Sequence, residues 1–268
     1  MTDPFQNLAH ADQAVIDTFL VTLEERAADP AMAAIIDGYL DEIDWPSIGC
    51  AIEVGSGTGP ICRRIAARMP GGEVVGIEPT PQMVARAREL ARDLPNLRFE
   101  ETGGLALPFD EGSLDLVVMH TLLTHVEDPA AFLAEAHRVL RPGGRLVVCD
   151  VDFSKATLSG GAIDPLATIG DAFVGHFVTD PHLVPRLGRL IEGAGLSRTS
   201  MRVETRLVTD TAQMKVWVTM GGRALVERGL IGAALVDALE VEYDRRMAAG
   251  TLHGFQPFAI VWAAKPGG

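Results

Sequence analysis

The stretch Gly49-Cys50-Ala51-Ile52-Glu53-Val54-Gly55-Ser56-Gly57-Thr58-Gly59-Pro60 decides the fold. Its short apolar run with an acid near the end reads as a buried strand, and glycines at every second position read as a tight turn. Pro60 can open a helix at the first position, where a missing N–H costs nothing. Strand, glycine turn and helix form the nucleotide end of a doubly wound α/β sheet, whose ligands lie across the carboxyl ends of the strands.

The glycine spacing narrows the ligand. A dinucleotide fingerprint, G-x-G-x-x-G, needs its third glycine for close packing of helix on strand. Here that position is Pro60, and the pattern is G-x-G-x-G instead. Glu53 stands two residues before the first glycine, facing the turn. A carboxylate there repels a pyrophosphate and attracts an ammonium or sulfonium group. A cation is expected, and a nicotinamide-dependent oxidoreductase is disfavoured.

From Glu53 to Gly59 the chain resembles the first motif, E/D-x-G-x-G-x-G, of the class I S-adenosylmethionine-dependent methyltransferases. Three further blocks follow in the family's order. Val74-Val75-Gly76-Ile77-Glu78-Pro79-Thr80-Pro81-Gln82-Met83 looks like the second strand with its ribose-binding acid. Leu107-Pro108-Phe109 with Ser113-Leu114-Asp115-Leu116-Val117-Val118 is similar to the fourth-strand signature. Arg138 to Val148 is similar to the junction of helix and fifth strand. The nearest branch is the small-molecule methyltransferases that resemble the ubiquinone- and menaquinone-biosynthesis enzymes.

The resemblance implies S-adenosylmethionine as cofactor, S-adenosylhomocysteine as product and a small organic methyl acceptor. The cofactor-binding residues it implies are Glu53, Gly55, Ser56, Gly57, Gly59, Glu78, Pro79, Met83, Gly103, Gly104, Leu105 and His120. Glu78 lies 25 positions after Glu53, and an acid at the end of the second strand can accept both ribose hydroxyls. In one respect the chain departs from its relatives. They usually carry an Asp four residues before Leu-Pro-Phe, accepting from the adenine amino group, where this chain has Gly103. The adenine is then expected to rest on backbone groups of Gly104 and Leu105, on Glu101 or on water.

The implied fold class is α/β: a Rossmann-like, doubly wound, seven-stranded, mostly parallel sheet with an antiparallel last strand, plus N-terminal and C-terminal helical insertions. One domain is expected over residues 1–268, with a helical lid at 1–45, a cofactor-binding core at 46–152, and substrate-side insertions at 153–180 and 209–250. Periodicity places helices over Asp12–Arg26 and Pro30–Leu40, and Asp180-Pro181 reads as the cap of another running to Glu192.

His120 and Asp152 are the candidate catalytic residues. His120 ends the fourth strand, where the resemblance places the methionine end of the cofactor, so its reading is split between general base and backbone or packing contact. Asp152 is expected to point to the substrate side, with Asp150 directed away, by strand alternation. His176, among Phe173, Val174 and Phe177, is a further base candidate. His125 reads as a structural hydrogen bond, and Trp217, Met220 and Tyr243 read as core or cavity wall. No metal is expected, because His120 and His125 lack a zinc-helix spacing.

Composition bounds the alternatives. The chain has 23 basic and 36 acidic residues, a net charge of −13, which disfavours general nucleic-acid binding. The run His120-Thr121-Leu122-Leu123 also differs from the N/D-P-P-aromatic run of base-methylating relatives. No membrane-spanning run or leader pattern is read, and Cys50, Cys62 and Cys149 suggest neither disulfides nor zinc. A cytoplasmic enzyme is expected, its oligomeric state open. Two further readings stand beside methyl transfer: a cofactor-binding lyase or cyclase, and a non-catalytic binding subunit on the same fold.

Overall fold

The computed structural model describes residues 3, 8, 13–161 and 163–267. Two helices come first, α1 (Gln13–Ala28) and α2 (Pro30–Leu40). Asp12, the expected start of α1, lies outside the described residues, as does most of the chain before it. The core then alternates β1 (Cys50–Val54), α3 (Pro60–Arg68), β2 (Glu73–Glu78), α4 (Pro81–Leu90), β3 (Leu97–Glu101), β4 (Leu114–His120), α5 (Pro129–Val139) and β5 (Leu140–Val151). A C-terminal half follows: β6 (Thr157–Leu158), α6 (Pro165–Phe177), α7 (Val184–Gly193), β7 (Ser197–Val208), α8 (Lys215–Glu227), α9 (Ala233–Ala248) and β8 (Gly254–Ala264).

The sheet order is β3-β2-β1-β4-β5-β8-β6, with β7 along the other side of β8. The first five strands are parallel, and β8 runs antiparallel to β5, β6 and β7. The sheet therefore has eight strands where seven were expected. The additional one is the two-residue β6, which pairs with Phe255 and Gly254 at the start of β8. The order reverses between β1 and β4, where a doubly wound sheet opens its ligand crevice.

Alternation along the strands supplies both cores. Ile52, Val54, Val75, Ile77, Val117 and Met119 face α5 and α7. Ala51, Val74, Leu116 and Val118 face the opposite layer, which includes α2, α3 and α4. The same period puts Glu53 and His120 on the side of α2 and α3.

Helix starts follow local chemistry. Asp29, Asp128 and Asp164 each precede a proline and accept a backbone N–H at 3.0 Å, from Met32, Ala131 and Leu166. Proline at the first helical position donates nothing that would need a partner. Asp180-Pro181 departs from this pattern. Its carboxylate accepts from His182 N at 3.1 Å and pairs with Arg186, closing a turn, so α7 begins later, at Val184.

Candidate functional site

At the reversal point lies a cavity of about 480 Å³. Its floor comes from the carboxyl ends of β1, β2 and β4, and its side from Gly103 and Gly104 after β3. Leu23, Arg26 and Ala27 of α1 and Ile36 of α2 form its cover. None of the described lining falls in 153–180 or 209–250.

The glycine turn has the conformation that its sequence requires. Gly55, Gly57 and Gly59 have φ of +74°, +53° and +78°, where L side chains are strained. Space is also short: a Cβ on Gly55 would lie 2.8 Å from Leu122 Cδ1, and one on Gly57 2.9 Å from Leu23 Cδ1. Thus α1 rests directly on the turn. Glu24 holds it there, accepting from Thr58 Oγ1 at 2.6 Å and pairing with Arg63 at 2.6 Å.

Glu78, 8 % exposed, sits at the end of β2. Oε2 accepts from Gly57 N at 3.1 Å and Oε1 from Thr80 N at 2.9 Å, while burial pushes the carboxyl pKa up. Each oxygen keeps acceptor capacity toward the cavity. Glu53 is turned toward α3. Its Oε2 accepts from Cys62 N at 3.1 Å and Cys62 Sγ at 2.9 Å, capping the helix. Burial, with the Glu78 charge nearby, raises the Glu53 pKa to about 8. Glu53 is thus a capping carboxyl that also borders the cavity, more than a free anion facing the turn.

Other expected residues fall as follows. Ser56, Pro79, Met83, Gly103 and Gly104 line the cavity together with Gly55 and Gly57. Gly59 lies outside the lining as the left-handed residue before α3. Leu105 is 59 % exposed and also outside it. A Cβ at Gly103 would have open space, whereas one at Gly104 would meet Phe132 Cε1 and Val54 Cγ1 at 2.5 Å.

His120 is buried and borders the cavity. Its Nδ1 lies 3.2 Å from Tyr39 Oη, and Nε2 has no partner among the described residues. Burial and the Arg26 charge hold the imidazole pKa well below its usual value. Such a ring is neutral and a weak proton acceptor at physiological pH. The next residue, Thr121, has φ of +47°, and its hydroxyl accepts from Arg26 at 2.6 Å. Backbone strain of this kind concentrates at functional sites.

Asp152 corrects its expected placement. Residues two apart on a strand share a face, so alternation cannot send Asp150 and Asp152 opposite ways. β5 also ends at Val151, and Asp152 begins a turn in which its carboxylate accepts from Ser154 Oγ at 2.5 Å, outside the cavity lining. Asp150 is fully buried and accepts from Thr124 Oγ1 at 2.7 Å. His125 pairs with Asp3 at 2.8 Å beside the cavity. His176 packs against Phe177 away from the lining, Trp217 stacks on Phe173, and Tyr243 Oη donates to Thr211 O at 2.7 Å.

Arg26, Tyr39 and Phe132 carry no motif, and sequence reasoning missed them as site residues. Only the helical spacing of Leu23, Arg26 and Ala27 marks a common face. Among the described residues no cluster of His, Cys, Asp or Glu could hold a metal, and no helix is long and apolar enough to cross a membrane.

Comparison with known proteins agrees with this geometry. Residues 52–148 match the methyltransferase domain family. The demethylmenaquinone methyltransferase of Thermus thermophilus is 42% identical over 101 residues, 37% of this chain and 46% of that protein. The ubiquinone/menaquinone biosynthesis C-methyltransferase UbiE of Proteus mirabilis is 31% identical over 169 residues, 61% of this chain and 62% of that protein. The chain spans about half the length of the curated relatives it matches. Among solved structures, the [4+2]-cyclase SpnF aligns with TM-score 0.57 at 22% identity, covering 89% of this chain and 83% of that one. Geranyl diphosphate C-methyltransferase from Streptomyces coelicolor, solved with Mg2+, geranyl diphosphate and S-adenosyl-L-homocysteine, aligns with TM-score 0.54 at 17% identity, covering 87% and 79%. These two likenesses concern the fold. With the four blocks in order, the glycine turn in left-handed conformation and the acid at the end of β2, residues 52–148 carry a methyltransferase domain, and the chain is similar there to the menaquinone and ubiquinone methyltransferases.

Proposed function

We propose that this chain transfers a methyl group from S-adenosylmethionine to a small organic molecule within the cavity under α1. The observation that carries this reading is Glu78, whose two carboxylate oxygens are aligned by Gly57 N and Thr80 N at the edge of a ligand-sized cavity. Cavities of about 300–1,000 Å³ hold ligands of nucleoside size. The cradle fits the cofactor. The turn glycines leave no room for side chains, Gly103 leaves open space, and the buried Ser56 Oγ beside the turn lacks a partner among the described residues.

When bound, the cofactor supplies an electrophilic methyl on a sulfonium. Glu78 accepts the ribose hydroxyls, Gly55 and Gly57 let the backbone approach, Met83 packs against the nucleoside, and Gly103 and Gly104 border the adenine. Glu53 stays near the cation through its free oxygen, and its raised pKa makes cation binding favour proton release. Leu23 and Ala27 exclude water from above. Holding two reactants in line contributes about 7–11 kcal/mol without any acid or base. Residues 1–45 act as the lid in this reading, 46–152 hold the cofactor, and the later insertions support the acceptor side. A cytoplasmic location fits three unpaired cysteines.

The test is turnover with S-adenosylmethionine and a panel of small acceptors. Methyl transfer yields S-adenosylhomocysteine in equal amount to methylated product. Product formed without it would mark a lyase or cyclase. A calorimetric titration in which S-adenosylhomocysteine fails to bind would remove the reading altogether.

A further inference from the structure

Arg26, in the cover of the cavity, and His120, in its floor, share an unmatched feature. Arg26 forms no ion pair with a carboxylate among the described residues, although the chain is strongly acidic. Its guanidinium makes one hydrogen bond there, to Thr121 Oγ1 at 2.6 Å, and borders the cavity. His120 borders the same cavity with Nε2 unpartnered.

The tautomer of His120 follows from counting donors. Tyr39 is fully buried, and its hydroxyl has one hydrogen-bond partner among the described residues, His120 Nδ1, at 3.2 Å. Burial drives the phenol pKa up and the imidazole pKa down, so both groups are neutral. If Nδ1 carried the hydrogen, the phenol hydrogen would be orphaned and Nε2 would be an orphan acceptor as well. If Tyr39 donates to Nδ1, a single orphan remains, the Nε2–H beside the cavity. Buried polar groups avoid being unpaired, so the second arrangement wins. The rings also stack, centroids 5.9 Å apart and planes at 30°, which fixes the imidazole orientation.

We propose that Tyr39 is a positioning residue that locks His120 as an Nε2–H donor, and that this donor and Arg26 receive an anionic oxygen of the methyl acceptor. The inference rests on the methyl-transfer reading and names its substrate class: an acceptor that arrives ionised, as a phenolate, enolate or carboxylate. An ammonium is repelled by Arg26, and a neutral alcohol finds no base, because the one imidazole nitrogen without a partner among the described residues already carries a hydrogen. The methyl passes from sulfur to the nucleophilic oxygen, or to the carbon of an enolate. The S–CH3 bond breaks with its electron pair remaining on sulfur, and the acceptor's negative charge and the sulfonium's positive charge cancel. No proton needs to leave through His120 in that step.

Three measurements test this on the intact chain. Long-range proton–nitrogen NMR of the histidine rings should show His120 as the Nε2–H tautomer, with Tyr39→Phe giving a mixture; an Nδ1–H signal in the wild type overturns the proposal. With protein saturated in S-adenosylhomocysteine, 4-nitrophenol should bind as its yellow phenolate. His120→Gln and Arg26→Met should each weaken that binding by about tenfold or more, the effect of losing a charge-assisted bond. No binding, or binding as neutral phenol, overturns it. Finally, both variants should leave S-adenosylhomocysteine and 5′-methylthioadenosine affinities in unchanged ratio. Selective loss of the former would assign these donors to the cofactor's own carboxylate, and the proposal would fall. Failure of S-adenosylhomocysteine to bind the wild type would instead remove the underlying methyl-transfer reading.

Discussion

Glu78 and Gly57 stand 21 residues apart in sequence, yet the carboxylate Oε2 of one accepts the backbone N–H of the other at 3.1 Å. The bond ties the end of β2 to the glycine turn after β1, so the proposed ribose acceptor and the proposed nucleoside cradle are joined directly. Removing the carboxylate acts on both. Glu78→Ala should weaken S-adenosylhomocysteine binding by about tenfold or more, as expected for a lost charge-assisted bond, and isothermal titration reads it directly. Unchanged affinity would take Glu78 out of the site.

Gly103 and Gly104 are neighbours with opposite tolerances. Gly103→Asp places its Cβ in open space and supplies the carboxylate that the family resemblance implies at this position. Cofactor affinity should rise about tenfold, the value of one hydrogen bond to a charged group. Gly104→Ala drives its Cβ to 2.5 Å from the Phe132 ring and from Val54. Forced overpacking of this kind costs about 1–3 kcal/mol, so the variant should unfold at lower urea and bind more weakly. Equal behaviour of the two variants would contradict the geometry.

The raised carboxyl of Glu53 makes a signed pH prediction. Its pKa is 4.5 in an unperturbed setting and about 8 in the folded chain, so the native state favours the protonated form. The associated stability is whole below about pH 4.5 and is lost as pH rises through about 8. The difference in thermal midpoint between wild type and Glu53→Gln, measured without ligand, should move against the wild type across that window. A difference that is flat, or that moves the other way, would show that Glu53 is charged in the folded protein.

Arg206 anchors the cover to the sheet. It is 2 % exposed, pairs with Asp29 at 3.1 Å, donates to Gln256 at 3.0 Å and also bonds Gln213. Asp29 is at the same time the cap of α2, accepting from Met32 N at 3.0 Å. Arg206→Ala leaves a buried carboxylate uncompensated, a loss of about 3–5 kcal/mol, to be read by equilibrium urea unfolding. A loss below about 1 kcal/mol would mean that water replaces the pair.

Much of the cavity floor at the strand ends is written in short segments. The turn glycines, Glu78, Gly103 and Gly104 sit in local patterns whose geometry depends on few neighbours, and their places could be anticipated. Asp152 shows where such reading fails. Strand alternation assigns a face only while the strand lasts, and β5 stops at Val151. The Asp180-Pro181 cap failed for a related reason: the carboxylate found Arg186 and a closer amide in a turn.

By itself the sequence determined the parallel core, its glycine turn and the acids at the strand ends, because hydrogen-bond geometry and residue period act over a few positions. The tertiary structure alone brought Tyr39 to His120 across 81 residues and Arg26 to Thr121 across 95. Those meetings depend on how the faces of α1 and α2 pack over the sheet. Packing is settled by the sum of many weak contacts between distant segments, which no local spacing encodes.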